Sequence, residues 1–243
     1  MHIDELIEKE NNKAFGPEKR PNKHLILKLI LLAILISILC LTVFLILMLQ
    51  KPSGYESPQT IEDNQVSKYL THVISQDLYN GAQLGVPFDL IITEEGMNDI
   101  IVRSEWPRQT GKAIFHAPQV RFTPDIILIQ GIVDFNAAEL FVEIDGTAFI
   151  DENALLHLDV NGVKIGALTI TTIAKIIASI IYNDEITKSR LDENDWRAKI
   201  MTSLLTGMPF EPVFEIDHAL LRIDKVKIES QKLTIHFIPV DYE

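Results

Sequence analysis

Hydrophobic and polar residues follow three different rhythms along this chain. The first is an apolar run from Leu25 to Leu49, LILKLILLAILISILCLTVFLILML, in which Lys28 is the single charge. At about 1.5 Å per residue it makes a helix of about 37 Å, against a hydrocarbon core of about 30 Å. A buried helix of a soluble protein shows a polar stripe; here only Ser37 and Thr42 interrupt the apolar surface. The run predicts a transmembrane helix, with Lys28 close enough to its start to snorkel to the interface.

The second rhythm is a spacing of three and four. Val66, Tyr69, Leu70, Val73, Ile74 and Leu78 predict an amphipathic helix over Ile61–Tyr79, stopped by Asn80-Gly81. Thr93 is placed as an N-cap, with Glu94 and Glu95 in the first turn of a short helix to about Arg103. Leu168–Tyr182, LTITTIAKIIASIIY, predicts a helix apolar over most of its circumference. Ile170, Ile173, Ala174, Ile177, Ile180 and Ile181 form a broad stripe, and Lys175 and Ser179 a narrow polar side. The run is short for a second membrane span and carries Lys175 at its centre, so it belongs in a groove. Asp184–Arg197 is a polar helical extension or loop. Trp196–Leu205 is a further short helix, ended by Gly207 and Pro209.

The third rhythm is alternation. Val86–Ile92 predicts a strand, and Trp106–Gly111 a loop. Ala113–Phe122, Asp125–Asp134, Ala138–Ile150 and Ala154–Ile165 predict an antiparallel meander with turns at Thr123-Pro124, Asn136-Ala137 and Asp151–Asn153. Ala138, Leu140, Val142, Ile144, Ala148 and Ile150 share one face, opposite Glu139, Glu143, Asp145 and Thr147. Ala154, Leu156, Leu158 and Val160 likewise oppose His157, Asp159 and Asn161. Asp125–Val133 is apolar on both faces, as expected of a central strand. Val213–Asp217, Leu220–Ile228 and Lys232–Ile238 close the chain, the last two joined through Glu229–Gln231. The expected class is α+β: a transmembrane helix, then a curved antiparallel meander packed on a long apolar helix with additional short helices. The divisions are a tail at 1–24, the span at 25–49, a linker at 50–60 built on Pro52, Ser53, Gly54, Ser57 and Pro58, and a domain at 61–243.

Charge gives the span a direction. Lys13, Lys19, Arg20, Lys23, His24 and Lys28 stand before or at the start of the run, and only Lys51 directly after it. The positive-inside rule puts the N-terminus in the cytoplasm and the domain outside, on a single-pass signal anchor. A cleaved secretory signal is the rival reading, but the run is longer than a signal core and no small-x-small site follows it. The net charge is −12, and the acidic excess lies after the span. Without a cluster of cations the domain is not expected to bind nucleic acid, and any lipid contact should be apolar, because an acidic surface is repelled by anionic headgroups. Cys40, the single cysteine, lies inside the apolar run. The domain thus has no disulfide and no thiolate chemistry, and with no Asn-x-Ser/Thr sequon the pattern leans towards a bacterial inner-membrane protein facing periplasm or cell wall.

No phosphate loop, nucleophile elbow, zinc-protease helix or paired cysteine is present, and no catalytic residue, cofactor or metal is expected. His157 and Asp159 point to one side of a strand, yet a metal needs three or four ligands. Glu94 and Glu95 are explained by the helix dipole alone. His116, His218 and His236 stand near strands with nothing to bring them together.

The segments PFDLIITEEGMNDII, PQVRFTPDIILIQGIV, GTAFIDENALLHLDVNGVKIGALTI and VKIESQKLTIHF resemble the tubular lipid-binding superfamily in its small bacterial form. The resemblance is one of pattern and spans roughly Pro87 to Phe237. It implies a long curved sheet around a helix, with an apolar groove for acyl chains. The candidate groove residues are Ile170, Ile173, Ile177 and Ile181 on the helix, and Leu140, Val142, Ile144, Leu156 and Leu158 on the strands. Two functions follow as expectations: an anchored extracytoplasmic module that binds lipid acyl chains in the cell envelope, or a non-enzymatic scaffold that meets other envelope proteins.

Overall fold

The computed structural model describes residues 23–52, 55–61, 65–136, 138–176, 178–179 and 195–240. The chain divides into two compact units, Met1–Ile46 and Leu47–Glu243. The apolar run forms one uninterrupted helix, α1 (Lys23–Met48). Its leucines and isoleucines from Ile26 to Ile46 are exposed, and among the described residues it is the one helix long and apolar enough to cross a membrane. Such a helix satisfies its own backbone, which a lipid environment demands. Thr42 adds its hydroxyl to the ladder by donating to the Ile38 carbonyl at 2.9 Å.

The second unit begins its regular structure with α2, a π-helical turn (Leu70–Ile74) continuing into Ser75–Leu84. This helix starts later than the periodicity predicts and runs through Asn80-Gly81. Gly81 does not end it because it is a packing residue: a Cβ there would come within 2.5 Å of the Phe88 ring. The stop is Gly85, at φ 62°. Strand β1 (Phe88–Thr93) then feeds α3 (Glu94–Val102), where the Thr93 hydroxyl accepts from the Gly96 N–H at 3.1 Å, as the capping pattern predicts. The expected loop at 106–111 contains a short strand, β2 (Arg108–Thr110).

The expected strand Ala113–Phe122 is two strands, β3 (Ala113–Phe115) and β4 (Gln119–Thr123). Pro118 has no N–H to give a ladder, so the chain breaks there. Both pieces still pair with β5 (Ile126–Phe135), β3 through Phe115 and Val133, β4 through Gln119 and Gln130. Next come β6 (Ala138–Ile150), β7 (Leu156–Ile165) and β8 (Leu168–Thr169). β8 corrects the helix predicted from Leu168. Gly166, at φ 57°, turns the chain, Leu168 pairs back onto Ile165, and helical backbone begins at 171. Helix α4 (Trp196–Thr206) is capped by Asp195 and ended by Gly207. β9 (Val213–Ile216), β10 (Ala219–Glu229) and β11 (Lys232–Val240) complete the chain.

These strands make two antiparallel sheets, not one. The order in the first is β1-β11-β10-β9; in the second it is β2-β3-β5-β6-β7-β8, with β4 also on β5. The sheet expected to be covered by the helix after Leu168 is covered over Ala148, Ile150, Leu156 and Leu158 by the other sheet. Ile150, Leu156 and Leu158 share a cluster with Leu221, Ile223 and Phe237, and Ala148 shares one with Ile228 and Leu233. Leu221 is fully buried at its centre. Helix α2 joins the first cluster through Ile74, Leu78 and Ala82, and α3 joins the second through Met97 and Ile101.

Each sheet carries one bulge that keeps its apolar face continuous. Gly146 pairs with Val160 and Asp145 with Gly162, so Asn161 is the extra residue. Leu156, Leu158 and Val160 thereby stay on the face of Val163 and Ile165, although the two sets differ in parity. Asp224 does the same in β10, bringing Ile223 into phase with Val226 and Ile228. On the other face of the second sheet, Phe141 is covered by the segment expected to be a linker. The Tyr55 ring meets Phe141 edge-on at 4.9 Å, its hydroxyl donates to the Gln130 carbonyl at 3.4 Å, and Lys51 pairs with Glu139 at 3.7 Å. Burial raises the Tyr55 pKa, with a hydrogen bond to Ser57 acting against it.

Candidate functional site: an apolar cavity beside strand β9

The two sheets, α2 and α4 do not close on one another completely. A cavity of about 580 Å³ lies over the first sheet, floored by Leu90, Ile223 and Phe237 and walled by Leu78 from α2 and by Trp196 and Ile200 from α4. All four residues of β9 line it, and Asp195 and Glu215 supply its charged groups. The volume falls in the range of small-molecule sites, which are mostly apolar with a few polar groups. Two other cavities have a different character. One lies between Gln109, Lys112, Asp134, Asn136 and Glu139, and the other runs along Ser57–Thr60 towards His116. Both mix polar and apolar groups in their lining.

The local sequence explains why the cavity forms. Asp195 accepts from the Arg197 N–H at 2.8 Å and starts α4 there, which sets Trp196 in its first turn and Ile200 one turn later. At the far end the Ser203 hydroxyl accepts from the Leu158 N–H at 3.3 Å and ties α4 to β7. Phe210 then pairs with Leu156 before the chain enters β9. The helix is thus tied to β7 at Ser203, and its N-terminal half lines the cavity through Asp195, Trp196 and Ile200.

The sequence-predicted groove residues fall in several places. Leu156 and Leu158 belong to the core between the sheets. Leu140, Val142 and Ile144 share their face of β6 but sit towards its other end, opposite Val133, Gly131 and Ile129 of β5, and are half-buried. Ile170 is half-buried and donates its N–H to the Val163 carbonyl at 2.7 Å, while Ile173 is exposed. Ile177 and Ile181 lie outside the described residues. Of the residues that line the cavity, Leu78 carried a signal as part of a helical stripe, and Phe237 as part of an alternating strand. Trp196 and Ile200 carried none, because the importance of α4 depends on what it faces.

Several titratable groups form pairs. The Asp151 carboxylate accepts from His157 at 3.0 Å and from the N–H groups of Leu155 and Asn153, which hold its pKa at about 2. The His157 ring stacks on Phe149 at 4.7 Å. His116 pairs with Asp134 at 2.8 Å and His236 with Asp89 at 2.6 Å. Burial opposes the charge on Glu143, yet Lys164 at 2.7 Å and Gln130 at 2.8 Å hold its pKa below the ordinary value. Among the described residues no three metal-ligating side chains converge. The folded pKa of Asp151 lies below its ordinary 3.8, so its contribution to stability is complete above that value and is lost as pH falls towards about 2. Acid titration of the wild type and Asp151→Asn should show this: the variant is less stable at neutral pH, and the difference shrinks below pH about 4.

Glu94, read from the sequence as a helix-start carboxylate, has a second role. It accepts from the Phe122 N–H at 2.8 Å, while the Asn98 amide takes both the N–H and the carbonyl of Val120, each at 2.8 Å. Together they close the free edge of β4. No family model, curated protein or solved structure matches the chain.

Proposed function

We propose that this chain is a single-pass membrane-anchored binding module whose domain takes an apolar ligand, a lipid acyl chain, into the cavity beneath α4. The supporting observation is the cavity itself, about 580 Å³ and lined by Leu78, Ile200, Phe214 and Phe237. Each methylene transferred from water into such a space gains about 0.8 kcal/mol, so eight of them supply about 6 kcal/mol before the cost of ordering the chain. The resemblance to tubular lipid-binding domains supports the same ligand class, although the cavity lies beside β9 and not beside Ile173. The positive residues ahead of α1 support an orientation with the N-terminus cytoplasmic and the domain outside, and the acidic balance supports apolar over electrostatic capture.

The test uses the full chain in phosphatidylcholine nanodiscs, titrated with the fluorescent fatty acid cis-parinaric acid and compared with empty nanodiscs. Saturable binding above the empty-disc signal is expected. Ile200→Trp fills the cavity from the α4 wall and should weaken binding at least about tenfold, with the fold intact by circular dichroism. Equal binding by the variant and the wild type would count against the cavity.

A further inference from the structure

The edges of the two sheets are treated differently. On β1 the Tyr69 hydroxyl accepts from the Thr93 N–H at 2.8 Å and donates to the Ile91 carbonyl at 3.2 Å, occupying the edge where another strand would pair. On β4 the side chains of Asn98 and Glu94 do the same. Strand β9 pairs with β10 on one side, and among the described residues no hydrogen bond closes its other side. Unprotected edges invite pairing, and natural sheets generally blunt them.

The open edge coincides with the cavity. Val213, Phe214, Glu215 and Ile216 all line it. Successive side chains of a strand point to opposite faces, so a cavity that touches four in a row runs along the strand's edge, with backbone as part of its wall. Asp195 and Trp196 at the start of α4 line the same cavity. An open strand edge that lines an apolar slot together with a helix start offers what an extended peptide uses in strand addition, backbone hydrogen bonds for affinity and a pocket for a side chain.

We propose that the groove between β9 and α4 binds an extended segment of a partner protein, which adds to β9 as a strand, places an apolar side chain against Phe214 and Phe237, and flanks it with Lys or Arg. Charge selects this occupant. Asp195 and Glu215 stand on the groove in a chain of net charge −12. A second copy pairing through its own β9 would bring a second Glu215 to the groove beside Asp195, and like charges directly opposite across a strand pair are destabilising. This goes beyond the acyl-chain reading, because the peptide's apolar side chain and an acyl chain would compete for one cavity.

The test uses the full chain in phosphatidylcholine nanodiscs and a fluorescein-labelled peptide, Lys-Leu-Lys-Val-Lys-Leu-Lys. Two analogues of the same charge and hydrophobicity carry N-methyl groups on alternate backbone amides, one set in each register. Only alternate amides of an added strand face the edge, so one analogue should bind like the parent and the other at least about tenfold more weakly. Glu215→Lys should weaken the parent peptide several-fold. Absence of parent binding, or equal loss or equal retention in the two analogues, would overturn the proposal. Binding of cis-parinaric acid, measured on the same sample, reports separately on the acyl-chain reading. Probe binding without register-selective peptide binding leaves that reading standing alone, and the converse leaves only the strand.

Discussion

Replacing Leu35 and Leu39 together by arginine should release the chain from the membrane pellet on alkaline carbonate extraction. Both residues sit near the middle of α1, one turn apart on one face, and each is 64% exposed. An arginine at the centre of a membrane helix costs about 2.5–3.5 kcal/mol, so two on one face cost on the order of 6 kcal/mol. No other described helix is long and apolar enough to compensate. Mass measurement of the wild-type chain decides between anchor and signal: an intact N-terminus in the pellet supports the anchor. A double variant that stays in the pellet would show that α1 is not what holds the chain there.

Leu221→Ala should produce the largest loss of stability in the domain. Leu221 is fully buried where β10 meets Leu156 from the second sheet and Phe237 from β11. Truncating such a leucine costs about 3–5 kcal/mol, the lost burial plus the cavity left behind. In a domain of this size each kcal/mol lowers Tm by about 2–4 °C, so a fall on the order of 10 °C is expected in thermal unfolding followed by circular dichroism. Leu220→Ala, on the opposite face of the same strand, should cost about 1 kcal/mol or less. Equal effects at the two positions would contradict the packing of one sheet on the other.

What could be read from the sequence is what depends on neighbours in the chain. The span of α1, the Thr93 cap, the alternation of β6 and the turn before β11 follow from local periodicity and turn chemistry. The two bulges are also written there. In β7 the apolar positions change parity between Val160 and Val163, and in β10 between Ile223 and Val226, as an inserted residue requires. The division into two sheets was not readable. It depends on β1 pairing with β11 across most of the domain, and alternation tells which face is apolar without telling which strand lies beside it. For the same reason periodicity gives the apolar run after Gly166 the role of cover, which the first sheet performs over Ala148, Ile150, Leu156 and Leu158.

The site was less legible than the fold. Leu140, Val142, Ile144, Leu156 and Leu158 share a face by periodicity, but their strands carry them to different neighbours. The cavity depends on where α4 is tied down, at Ser203 against Leu158, a contact between residues 45 apart with no local signature. Closed edges are equally nonlocal. Tyr69 reads as one member of a helical stripe, and its hydroxyl has meaning only beside Ile91 and Thr93.

Native mass spectrometry of the full chain, released from its own membranes in mild detergent, tests the cavity most directly. The expected spectrum shows the chain carrying one acyl-bearing lipid, and the Ile200→Trp chain, equally folded, carrying none. Wild-type chain free of lipid, or lipid retained equally by the filled-cavity variant, would contradict the assignment of this cavity as an acyl-chain site.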